Sequence, residues 1–401
     1  MSLSPNGASD SNDACVASSS TKRASSVHDV NAAKPPFGSR FLTEEDDVWS
    51  QNAWDHVPAP DDQADTIARA LERQRLAPVP DEEKPKYNEK PAKHWDNFYK
   101  MNASNFFKNR KWLHVEFPDL VAALQPSAGP RTVVEIGCGA GNSVFPLLSE
   151  NQNPGLNLHA YDYSSHAVKL VQHNPLYEQP PCGTITASVW DLTSASLPAD
   201  LAPGSADIVV LVFVLSALHP SEWQRAVANI HTILKPGGLV LMRDYGRHDL
   251  TQLRFRSNRL LDENLYIRGD KTRVYFFDAD DLARLFTGAA APQNTVTTTT
   301  TETEEADAEP AGTTDALPPS TLHSPLSPPT PPPPPPPAQS ADPPAPSASA
   351  PFPDAAGERP TALQHPLFEI VQLGVDRRLL VNRKRQLKMY RVWMQGQFRK
   401  L

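Results

Sequence analysis

With 401 residues and 42 prolines, the chain is long enough for two or three domains but too rich in proline to be packed throughout. Its net charge of −8 is local: residues 288–366 hold nine acids against Arg359 alone, so the remainder is neutral overall. Three cysteines without paired spacing speak against a disulfide framework or a zinc site, and no run approaches the ~18 apolar residues of a membrane span.

Residues 1–36 are Ser, Ala, Asn and Asp with hardly an aromatic, which predicts a disordered tail; they contain no apolar signal region and are not rich in arginine, so a soluble cytoplasmic or nuclear protein is expected. Residues 37–127 form an N-terminal extension, expected to be helical, and from residue 128 strand-like and helix-like runs alternate. "TVVEIG" precedes "NSVFPLLSE", "NLHAYDYS" precedes "SHAVKLVQHN", and "TITASVWDLT" leads to a short loop. "ADIVVLVFVLSAL" precedes "PSEWQRAVANIHTIL", and "GGLVLMRDYG" follows the turn "KPGG". The pattern predicts an α/β fold with a doubly wound, Rossmann-like parallel sheet. "DADDLARLFT" predicts a further helix capped by Asp278 or Asp280.

Residues 288–366 run through a Thr- and acid-rich stretch into seven consecutive prolines at 331–337, a composition that predicts disorder. Two strand-like runs follow, "FEIVQLGVDRRLLVNR" and "LKMYRVWMQGQFRK", joined by a basic loop at Arg383–Arg385; they predict a terminal antiparallel hairpin closing the sheet. Residues 288–366 are then an insertion within one domain built from 128–287 and 367–401, at a closure cost that grows only logarithmically with length. Residues 371–401 hold nine Lys or Arg against Asp376 alone, a density suited to a polyanion or to a merely solvated face.

Gly137, Gly139 and Gly141 mark a strand-to-helix turn of the kind that lets a nucleotide approach the backbone. Glu135 precedes that turn, and Asp162 ends the second strand, where a carboxylate accepts from both ribose hydroxyls. Asp191 ends the third, placed to accept from an adenine amino group while Leu192 packs on the ring, and "LKPGG" at 234–238 turns into the fifth. Together these resemble the signature of class I S-adenosylmethionine-dependent methyltransferases. A nicotinamide-binding fold would more naturally carry G-x-G-x-x-G and no terminal antiparallel hairpin. The plain alternative for either aspartate is a helix cap.

"HWDNFYKMNASNFFKNRKWLHVEFPDL" (94–120), "FVLSALHP" (213–220), "LMRDYGRHDLTQLRF" (241–255), "YIRGDKTRVYFF" (266–277) and "VDRRLLVNRKRQLKMYRVW" (375–393) closely resemble the tRNA N3-methylcytidine methyltransferases, the METL family. "FGSRFLTEEDDVWSQNAWDHV" (37–57) resembles the extension of the branch acting on threonine and arginine tRNAs. The resemblance implies methylation of cytidine 32 in the tRNA anticodon loop, with Trp95 and Tyr99 closing over the cofactor and Gly137, Asp162, Asp191, Leu192 and Val212 lining it. Without the family, Trp95 and Tyr99 at i and i+4 of a helix read as core. The insertion departs from the family pattern and leaves every motif intact; its proline run is an inert spacer or a polyproline ligand.

Cytosine N3 bears an in-plane lone pair and no proton, so no general base is required and positioning dominates. Asp244 is the candidate substrate-side acid, accepting from the N4 amino group, or else a structural partner of nearby arginines. Tyr245, with Arg243, Arg247, Arg254, Arg268 and Arg273, supplies candidates for stacking on or holding the extruded base. Arg377, Arg378, Arg383, Lys384 and Arg385 are expected on stem phosphates, with Arg378 and Arg383 alternatively pairing with acids at the core edge. No metal is expected; tRNA is the expected partner, with an aminoacyl-tRNA synthetase or other adaptor as a further one. Rival functions are methylation of a protein or small molecule, which needs no basic segments, and an inert RNA-binding adaptor, against which the intact glycines and aspartates argue.

Overall fold

The computed structural model describes residues 42–55, 57, 62–292 and 365–401. Their strands are β1 (Ala53–Asp55), β2 (Arg131–Ile136), β3 (Leu156–Asp162), β4 (Thr184–Val189), β5 (Ala206–Val212), β6 (Leu234–Tyr245), β7 (Leu260–Asp262), β8 (Leu265–Ile267), β9 (Arg273–Tyr275), β10 (Phe368–Asn382) and β11 (Leu387–Lys400). Eight form one sheet in the order β1-β10-β11-β6-β5-β2-β3-β4. The five from β6 to β4 are parallel, and β11, β10 and β1 continue the sheet antiparallel. The chain winds outward from β2 through β3 to β4, returns to β5 beside β2, and winds outward again through β6. That reversal opens a crevice at the carboxyl ends of β2 and β5, where α/β sheets bind ligands.

Period-two alternation covers both faces of the sheet. Val134, Ile136, Val209, Leu211, Val240 and Met242 share a core with helices Trp223–Ile233 and Ala279–Thr287. Val133, Ile208, Val210, Val212 and Leu241 pack with helices Val144–Glu150 and Ser165–Gln172. Caps fix where helices begin: Ser164 accepts from the Ala167 N–H, and Asp278, not Asp280, forms a reciprocal capping box with Asp281.

The structure departs from the sequence reading in four places. The fourth parallel strand stops at Val212, because Phe213 takes φ +59 and turns "FVLSAL" into a loop. Within "LKPGG", residues 235–238 loop out between the pairs Ala206↔Leu234 and Ile208↔Leu239, inside β6 rather than ahead of it. The N-terminal extension is not all helix: β1 pairs with β10, burying Trp54 against Leu379 and Val381. A second sheet, β7-β8-β9, occupies residues for which the sequence predicts no strands. Segments of three residues carry too little alternation to be read. The tail 1–36 and residues 293–364 of the insertion lie outside the described residues.

Candidate active site

At the ends of β2 and β5 lies a cavity with about 1060 Å³ of empty space including its open mouth. One wall is the glycine turn. Gly137 and Gly139 both take positive φ, at +70 and +55, and both line the cavity; Gly141 abuts Phe145 and supplies the turn rather than the wall. Asp162 ends β3 with its Oδ2 accepting from the Gly139 N–H and its Oδ1 from the Ser164 N–H, each at 2.8 Å. Burial, opposed by those donors, pushes its pKa up to about 6. Asp191 and Leu192 follow β4, Asp191 Oδ1 accepting from the Thr193 N–H at 2.8 Å, and Val212 closes this side from β5.

The helix Pro91–Asn102 forms the lid, with Trp95 and Tyr99 lining the cavity and their rings stacked at 6.1 Å. Asp96, which the sequence reading passed over, holds it there. Its Oδ1 accepts from Ser164 Oγ at 2.6 Å, so one residue ties the lid to the turn that fixes Asp162.

The floor holds a buried carboxyl group and a guanidinium. Glu135 is 2% exposed, its Oε2 has no hydrogen-bond partner, and burial pushes its pKa up to about 8. Arg110, a second residue the sequence reading missed, shares the cavity, its guanidinium 5.2 Å from the Phe213 ring centroid. Glu135, with its Oε2 free of hydrogen bonds, and the Arg110 guanidinium suit the ammonium and carboxylate of an α-amino acid, while Asp162 and Asp191 suit ribose and adenine. These residues fit S-adenosylmethionine. Among the described residues no group of three or more His, Cys, Asp or Glu side chains could hold a metal ion, and no helix is long and apolar enough to cross a membrane.

Beyond the cofactor wall, Phe213 lies 4.6 Å from Tyr245, and the Arg268 guanidinium sits 5.2 Å from the Tyr245 ring centroid. Asp244 is not on the cavity wall. It is 1% exposed, accepting from the Ser216 N–H at 3.0 Å and the Tyr245 N–H at 2.9 Å, and burial pushes its pKa up to about 6. Its place is behind the wall, bracing the loop after β5.

The arginines expected on RNA divide sharply. Arg243 is 3% exposed, ion-paired with Asp376 and packed over Trp112 and Trp393. Arg273 is equally buried, donating to Glu222 at 3.0 Å and to the Ala217 carbonyl at 3.3 Å. Arg247 is half-buried between Asp278 and Asp281, and Arg378 lies among Asp376, Asp55 and Glu116. These four are committed within the protein and are not free phosphate ligands. Arg254, Arg377, Arg383, Lys384 and Arg385 are exposed, Arg383 donating to Asn52 Oδ1 at 2.6 Å. Beside the lid helix lies a further basic groove, lined by Lys90, Lys93, His94 and Lys271 among others, which the sequence hides because it joins residues 86–101 to 269–271.

A family profile described as a methyltransferase domain matches residues 109–289. The tRNA N(3)-methylcytidine methyltransferase trm140 of Schizosaccharomyces pombe is 38% identical over 95% of this chain and 98% of its own length. The tRNA(Thr) (cytosine(32)-N(3))-methyltransferase of Saccharomyces cerevisiae is 40% identical over 90% of this chain, which spans 45% of that longer protein. The zebrafish tRNA N(3)-cytidine methyltransferase METTL2 is 32% identical over 92% of this chain and 90% of its own. With this sheet, this cavity and relatives matched from end to end, the chain belongs to the S-adenosylmethionine-dependent tRNA N(3)-methylcytidine methyltransferases.

Proposed function

We propose that this protein methylates N3 of cytidine 32 in the anticodon loop of tRNA, with threonine and arginine tRNAs as its substrates. The observation that carries the reading is the identity to a tRNA N(3)-methylcytidine methyltransferase over 95% of the chain, which includes the lid helix and hairpin as well as the sheet. Bound in the cavity, S-adenosylmethionine supplies a methyl group on a sulfonium centre.

The protein's own residues orient and discriminate. Glu135 and Arg110 hold the amino-acid end, Asp162 and Asp191 the nucleoside, and Trp95 and Tyr99 exclude water from above. Phe213, Tyr245 and Arg268 offer planes on which an extruded base stacks, offsetting the few kcal/mol lost when it leaves the loop. Since N3 carries a free lone pair, catalysis here is positioning and charge stabilisation rather than proton abstraction. The hairpin tip at Arg383–Arg385 and the groove beside the lid supply the positive charge that a tRNA backbone requires.

The test is incubation of the purified protein with S-adenosylmethionine and tRNA, with and without an aminoacyl-tRNA synthetase, followed by nucleoside analysis. Formation of 3-methylcytidine, lost when position 32 is changed to uridine, is the expected result. Product that persists in the uridine 32 substrate would place the reaction elsewhere.

A further inference from the structure

Four carboxylates line the cavity: Glu135, Asp162, Asp191 and Glu222. The first three stand at or just past the ends of β2, β3 and β4 and are matched to the cofactor. Glu222 comes from the other wall, a single helical turn at Pro220–Glu222 in the loop that leaves β5. It is firmly held. Its Oε2 accepts from the His219 N–H at 2.6 Å and from the buried Arg273 at 3.0 Å, while the side chain stays 30% exposed. Arg273 is itself locked by the Ala217 carbonyl, so the pair cannot swing away.

A cytosine offering N3 to a methyl donor presents its 4-amino group alongside; uracil presents a carbonyl in the same place. A fixed carboxylate accepts from the amino group and repels the carbonyl. It also stabilises the positive charge that spreads over N3, C4 and N4 as the N3–methyl bond forms. Asp244 cannot serve, because it is 1% exposed and held behind the cavity wall, where its oxygens brace the Ser216 and Tyr245 N–H groups. We propose that Glu222, held by Arg273, accepts a hydrogen bond from the 4-amino group of the target cytosine and thereby selects cytidine over uridine. This rests on the methylation of cytidine N3 proposed above.

Glu222→Gln retains an oxygen for His219 and Arg273 but loses the anion. On tRNA with cytosine at the target position, single-turnover transfer is expected to slow roughly ten- to hundred-fold, with S-adenosylmethionine binding unchanged by calorimetry. On the same tRNA carrying 2-pyrimidinone there, which lacks the 4-amino group, parent and variant should differ by less than about threefold. An equal loss on both substrates, or parental speed on cytosine, overturns the proposal. Should the variant fail to bind S-adenosylmethionine, the parent decides: N4,N4-dimethylcytosine at the target position should slow it at least about a hundred-fold, and an undiminished rate overturns the proposal. A parent that forms no 3-methylcytidine on the cytosine substrate removes the proposed function, and this inference with it.

Discussion

The Tyr99 hydroxyl lies 2.5 Å from where a Cβ on Gly139 would stand. The lid helix therefore seats on bare backbone, at a residue whose N–H also orients Asp162. Gly139→Ala should push the ring off its seat, add the strain of a side chain at φ +55, and weaken S-adenosylmethionine binding at least about tenfold in calorimetry. In a Tyr99→Phe background the added cost should shrink, since the next ring atom is 3.4 Å away. Equal costs in both backgrounds would leave backbone strain as the whole effect.

If Glu135 holds the cofactor's ammonium as proposed, cofactor binding is a proton-linked event. Burial raises its pKa to about 8 from an ordinary 4.5, so the free protein carries it protonated at pH 7. Pairing with the cofactor's ammonium requires the carboxylate, so binding should release close to one proton at pH 7 and tighten as pH rises towards 8. Calorimetry in buffers of differing ionisation enthalpy reads this directly, and Glu135→Gln should abolish the release. Stability without cofactor moves the other way. Between pH 4.5 and 8 the folded protein keeps a proton that the unfolded chain has lost, so stability falls as pH rises through that window. Glu135→Gln should flatten that fall.

Two arginines that look alike in sequence should behave oppositely. Arg243→Met leaves the buried Asp376 with Arg378 as its remaining ion-pair partner among the described residues and should cost up to about 3–5 kcal/mol in denaturant unfolding. Changing Arg383, Lys384 and Arg385 together to Ala should leave stability and S-adenosylmethionine binding alone. It should weaken tRNA binding for all sequences alike and make the slope of log affinity against log salt shallower by about two to three. Unchanged affinity and slope in the triple variant would remove the hairpin tip as an RNA contact.

What the sequence makes legible here is whatever repeats or punctuates. Long apolar strands, glycines at a turn, acids at strand ends and the terminal hairpin all declare themselves locally, and the sheet and cofactor wall follow from them. Pairing across the fold does not. Arg243 and Arg383 are both cations in basic stretches, and only the sheet shows that one is buried against Asp376 while the other stays exposed beside Asn52. Asp244 stands out beside Tyr245, yet it is Glu222 that reaches the cavity wall from that side, on a loop that nothing local connects to Arg273. Asp96 is hidden in the same way, its partner Ser164 lying far along the chain.

The insertion offers a test of how its two ends are held. The helix Ala279–Thr287 closes on Gly288 at φ +79, and a Cβ there would meet the Cβ of His365 at 2.6 Å, so the chain leaves and rejoins the domain at one spot. On either side of that spot the contacts are firm: Phe286 stacks on Phe398 at 4.1 Å and meets Phe368 edge-on at 5.4 Å. Replacing residues 293–364 by a Gly/Ser linker of about six residues should therefore leave both the fold and methyl transfer to tRNA intact. Closure entropy sets the direction of any change. A loop about twelvefold shorter costs less to close, by about 2 kcal/mol when its ends are already adjacent. The excised protein should thus melt at the parental temperature or slightly above it. A fall of several degrees would show that the removed residues pack against the domain, and the reading of the segment as an inert spacer would have to be abandoned.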